Sequence, residues 1–92
     1  MKVFINPGHA PGIDSGAVNA NGTQEAEVAL KVGRLVSKYL ENVGIATELL
    51  QSNSLNGEDE DAASPSICRT ANNSGADLFI SIHCNAFNRQ AR

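Results

Sequence analysis

Ninety-two residues with 41% hydrophobic and 18% charged side chains make one small domain of ordinary globular composition. A formal net charge of -3 offers no basic footprint for nucleic acid and none for an anionic membrane surface. No apolar run approaches the roughly 20 residues that span a bilayer. Two cysteines, Cys68 and Cys84, are too few for a disulfide framework. Met1-Lys2 runs straight into an apolar segment. The expectation is therefore a chain without a signal peptide, whether mature, trimmed or never carrying one.

Val3-Phe4-Ile5 reads as a short strand stopped by Asn6-Pro7-Gly8. A polar, glycine-rich loop from His9 to about Thr23 follows, longer than connections that serve only to connect. Val28, Val32, Leu35, Val36, Tyr39, Leu40 and Val43 then recur at helical spacing, with Lys31, Arg34, Lys38 and Glu41 on the other side. Asn21 or Thr23 is expected to cap this helix, which puts Glu25 in or beside its first turn, and Gly44 suits the left-handed position past its end. Ile45–Leu50 reads as a second strand. Gln51 to Ala63 is polar and acidic, and the run Glu58-Asp59-Glu60-Asp61 matches no EF-hand loop; a solvated loop is the expectation. Ser64-Pro65 predicts a cap and first turn for a short helix through Ile67, Cys68, Ala71 and Asn72.

The most informative stretch comes last. In Asp77–Asn85, Leu78, Ile80 and Ile82 share one face and Phe79, Ser81 and His83 the other, which predicts a central strand buried on both faces. The order strand, helix, strand, helix, strand predicts an α/β fold: an open, mostly parallel twisted sheet in three layers, with helices on both faces. In a doubly wound sheet the first and third strands are neighbours where strand order reverses, and ligands bind there at the carboxyl ends. That topology would bring His9 beside His83, with Glu25 at the same edge.

Two histidines and one carboxylate match a catalytic zinc site, which uses three protein ligands and leaves a fourth position for water. Glu27 is a competing carboxylate, but two residues along a helix it faces away from Glu25. Cys84 follows His83 on an extended backbone and points the opposite way, so a buried thiol is expected rather than a ligand. Plain explanations stand beside these readings. His83 could be a satisfied core histidine, His9 a surface loop residue, and Glu25 a partner for the helix dipole. A nucleotide-binding reading of Pro7-Gly8 to Gly12 has neither Gly-x-Gly-x-x-Gly nor Gly-Lys-Ser/Thr to support it.

Asn6-Pro7-Gly8-His9, Asp14-Ser15-Gly16-Ala17, Asn21-Gly22, Glu25 with Val28 and Leu30, Gly44, Arg69 with Ala71-Asn72, and Leu78 through Ala86 occur in order over nearly the whole chain. This series resembles the zinc-dependent N-acetylmuramoyl-L-alanine amidases of bacterial cell-wall turnover and phage lysis. The resemblance implies hydrolysis of the amide between the lactyl group of N-acetylmuramic acid and L-alanine, with peptidoglycan as partner, Zn2+ as cofactor and His9, Glu25 and His83 as its ligands. It implies a cell-envelope, periplasmic or secreted location, or a phage lysin. Arg69 matches a position that links the short helix to its surroundings, and Ser81 and Asn85 would shape the groove. Residues 1–92 would form the N-terminal portion of a single catalytic domain, with no linker inside. The family's general-base glutamate would lie beyond Arg92, leaving no catalytic residue other than the metal ligands. The sheet would be completed by the rest of the domain or by a partner chain, and the chain by itself would turn over little. A module that binds peptidoglycan without cleaving it is the alternative.

Overall fold

Val3, Phe4 and Ile5 are almost wholly buried, and the strand that carries them is the one the sheet is built on. The computed structural model describes residues 1–10, 16, 18, 20 and 22–84. Its elements are β1 (Lys2–Pro7), α1 (Glu25–Asn42), β2 (Ala46–Leu49), α2 (Ile67–Asn73) and β3 (Leu78–Ile82). The strand order is β2-β1-β3, and both pairings are parallel. Val3 is opposite Thr47 on one side and Leu78 on the other; Pro7 is opposite Ile82. The expected reversal of strand order thus falls between β1 and β3, and both histidines lie just past it.

Alternation along β1 divides the core into two layers. Ile5 and Pro7, with Leu49, face α1. A Cβ at Gly33 of the helix would lie 2.8 Å from Pro7 Cγ and 3.5 Å from both Ile5 and Leu49. Phe4 faces the other way and stacks on Phe79, with ring centroids 5.6 Å apart. A cavity of about 410 Å³ opens there between β3 and Cys68, Ala71 and Asn72 of α2. A helix thus lies on each side of the parallel sheet, as the element order implies, α1 packed against it and α2 across this cavity.

The helix departs from the sequence pattern in which face it buries. Ala26, Ala29 and Gly33 lie against the sheet, whereas Val32, Leu35, Tyr39 and Val43 are exposed. Small residues let the backbone of α1 approach β1 closely, so the bulky stripe falls on its flanks. The start of α1 also differs from expectation. Gln24 is the N-cap and makes no side-chain cap bond; Asn21 lies outside the described residues. Gly44 does adopt the left-handed conformation, with φ 88°. In α2 the cap is Ser66, whose hydroxyl accepts from the Arg69 N–H at 3.1 Å, and Pro65 precedes the cap instead of following it.

Among the described residues β3 is an edge strand, where a central one was expected. It pairs only with β1 among the described residues, and Leu78, Phe79 and Ile80 are 52%, 50% and 37% exposed. The alternating apolar pattern reports what this strand is suited to bury. α1 packs mainly on β1 and β2 and touches β3 less.

Candidate metal centre

The chain leaves β1 at Pro7 and turns through Gly8 into His9. Pairing with β3 continues through this turn, because the Gly8 N–H donates to the Ile82 carbonyl at 2.8 Å. The two histidines therefore emerge side by side, one residue past the last rung of the ladder. His9 has φ 64°, a left-handed conformation that costs a non-glycine residue about 1–3 kcal/mol and persists only when its surroundings enforce it. The two imidazoles meet edge to face, with centroids 5.1 Å apart.

Glu25, the first residue of α1, is 7% exposed. A buried carboxylate is costly without partners, and this one has them. Oε2 lies 3.0 Å from His83 Nδ1 and 3.4 Å from His9 Nε2, and it accepts the Cys84 backbone N–H at 3.1 Å. Partnership with two imidazoles goes beyond offsetting a helix dipole. Glu27 is exposed, as its place on the helix predicts. Cys84 is a free cysteine that contributes a backbone N–H here, and its sulfur is not in the cluster.

The donor atoms of His9, Glu25 and His83 all lie within 4.8 Å of one another. Ligands 2.0–2.1 Å from a tetrahedral ion stand about 3.3 Å apart. Glu25 Oε2 stands 3.0 and 3.4 Å from one nitrogen of each imidazole, close to that spacing. Two nitrogens and one carboxylate oxygen also form a donor set that suits zinc better than calcium or magnesium. The residues fit a divalent metal with an open coordination position. Among the described residues the acidic run forms no such cluster. Glu60 instead pairs with Arg69, and Asp61 Oδ1 accepts the N–H groups of Ala63 and Ser64. Arg69 thus ties α2 to the acidic loop.

Two glycines shape the centre, and the sequence motifs that contain them gave them no role there. A Cβ at Gly8 would lie 2.5 Å from His83 Nδ1 and 2.9 Å from its Nε2. At Gly16, with φ 70°, it would lie 2.6 Å from His9 Cδ2 and 2.8 Å from Glu25 Oε1. Asn6, read from the sequence only as part of the strand stop and of a motif, has a role here as well. It is buried, donates to the Leu50 carbonyl at 3.0 Å and accepts from Ser81 Oγ at 3.0 Å, which joins the tips of all three strands. A cavity of about 250 Å³ opens beside the histidines, bounded by Asn6, Ser52, Asn53, Phe79 and Ser81. Ser81 therefore lines the groove. Asn85 lies outside the described residues, as do Pro11 to Ser15, Ala17 and Asn19 of the long loop.

A parallel α/β sheet with two imidazoles at its switch point and a carboxylate at a helix start defines a class: α/β domains with a strand-end cluster that could hold a metal ion. The chain belongs to the N-acetylmuramoyl-L-alanine amidase family Amidase_3, whose profile matches residues 3–92. It is 39% identical over 87 residues to the N-acetylmuramoyl-L-alanine amidase AmiA of Salmonella typhimurium, covering 92% of this chain and 27% of that one. The endolysin of Bacillus phage SPP1 is 38% identical, over 91% of this chain and 29% of its own length. The solved amidase AmiC2 of Nostoc punctiforme superposes with a TM-score of 0.71 at 33% identity, over 97% of this chain and 46% of that chain. The chain thus spans under a third of these sequence relatives and just under half of the solved one.

Proposed function

We propose that the protein containing this chain hydrolyses the amide between the lactyl group of N-acetylmuramic acid and the L-alanine of the stem peptide in peptidoglycan, with zinc held by His9, Glu25 and His83. The observation that carries this reading is the convergence of three donors from a loop, a helix start and a strand end to within 4.8 Å of one another. Family membership supports the choice of bond. Zinc would supply Lewis acidity and a water acidified toward neutral pH. Two neutral imidazoles and one carboxylate leave a loaded centre with net positive charge, which favours the negative charge that develops on the scissile carbonyl oxygen. Glu25, buried and fixed by the Cys84 N–H, keeps that charge in place. The general base, commonly worth about 10²–10⁴-fold, is the family's late glutamate, which the resemblance puts past Arg92.

Residues 1–92 then form the first part of one catalytic domain, and the bare β3 edge is where the sheet continues. The protein acts in the cell envelope or outside it, as a bacterial enzyme or a phage lysin; no described helix is long and apolar enough to cross a membrane. The test is to incubate the full-length protein with purified peptidoglycan and zinc. New L-alanine amino termini without new reducing ends are expected, and a chelator should abolish them. Retention on peptidoglycan with no release of amino termini would instead identify a binding module and overturn the catalytic reading.

A further inference from the structure

Two residues that flank the cluster, Gly8 and Ala26, are joined by a single side chain in the loop after β2. Gln51 Nε2 donates to the Gly8 carbonyl at 3.2 Å and to the Ala26 carbonyl at 2.7 Å. Gly8 immediately precedes His9, and Ala26 immediately follows Glu25. Gly8 in turn donates its N–H to the carbonyl of Ile82, the residue before His83. One hydrogen-bonded chain therefore runs from β3 through Gly8 and Gln51 to the first turn of α1, and each link is next to a proposed ligand. The amide has two hydrogens, and both are used. Gln51 is itself rooted in the sheet: the Leu50 N–H donates to the Ile5 carbonyl at 3.0 Å, and the Leu50 carbonyl accepts from Asn6 at 3.0 Å.

We infer that Gln51 is a positioning residue of the metal centre, which sets the separation between the His9 loop and the start of α1 and so the bite of His9 and Glu25 on a divalent ion. The inference rests on the metal reading of the cluster. His9 is held in the left-handed region at φ 64°, so its register against the helix needs a tie. Outer-shell partners of metal sites typically change affinity by about 10–100-fold when removed.

The test uses the full-length protein with Gln51→Met, which keeps length and volume but removes both donors, and Gln51→Glu, which replaces them with oxygens facing two carbonyls. Zinc affinity is measured by competition with a chromophoric chelator, and ligand geometry by the visible bands of the cobalt-loaded protein. Circular dichroism of the metal-free forms monitors folding. Zinc binding about 10–100-fold weaker, with altered cobalt bands and unchanged metal-free spectra, is expected for both variants. Wild-type affinity and bands in either variant would overturn the inference and leave the metal reading intact. Loss of folded structure in both would overturn it too, because Gln51 would then hold up the fold and not the site. Glu25→Gln separates the two levels. If wild type binds zinc no better than Glu25→Gln, the metal reading fails and takes the positioning role with it.

Discussion

Gly8 and Gly16 sit against the imidazoles where any side chain would collide with a donor. The clash at Gly8 is with the whole His83 ring, and the clash at Gly16 is with His9 and Glu25 together. Gly8→Ala should therefore displace one proposed ligand and Gly16→Ala two, and the latter adds strain at φ 70°. Both should weaken zinc by at least the 10–100-fold typical of outer-shell changes, with Gly16→Ala the more damaging; chelator competition measures the order. An unaffected Gly16→Ala would mean that the loop does not close over the cluster. His9, Glu25 and His83 themselves were legible in the sequence, because strand ends and helix starts are the places a doubly wound sheet brings together. The glycines and Gln51 were not. A glycine in a glycine-rich loop carries no mark of what its missing Cβ would strike, and Gln51 acts on backbone carbonyls 43 and 25 residues away, which no spacing rule encodes.

At the scale of elements, α2 is seven residues long, too short to hold itself by propensity. Its start depends on Ser66, which is fully buried and caps the Arg69 N–H. Ser66→Ala should cost about 1 kcal/mol, in the range usual for lost caps, and more if the emptied position cannot close. Urea denaturation of the metal-free protein would detect it as a lower midpoint with an unchanged slope. Ser64-Pro65 looked the better cap because proline suits a first helical turn, yet the chain places its cap one residue after the proline. Element types and order were readable from periodicity. The buried face of α1 was not, since hydrophobic pattern ranks residues by size while the sheet selected Ala26, Ala29 and Gly33 for closeness. Lys2 shows how a polar residue can knit elements too: its ammonium reaches Glu48 of β2 at 3.0 Å and the Ser74 carbonyl after α2 at 2.9 Å.

Over the whole molecule, the unevenly covered sheet makes the strongest demand. Leu78 and Ile80 are in register with Val3 and Ile5, on the side where α1 lies, yet both remain exposed. Phe79 is half exposed on the other side. A bare apolar edge strand invites pairing with whatever backbone is at hand. If the sheet continues past β3 in the full-length protein, one substitution should have opposite effects in two settings. In residues 1–92 expressed alone, Ile80→Lys would put a charge on an exposed edge, reducing binding of a hydrophobic dye and shifting sedimentation toward monomer. In the full-length protein the same lysine would be buried without a partner and should cost about 3 kcal/mol or more. Chemical denaturation of the full-length variant measures that cost. A loss under about 0.5 kcal/mol, the usual size for a surface change, would mean that β3 stays an open edge and that the domain is not completed there.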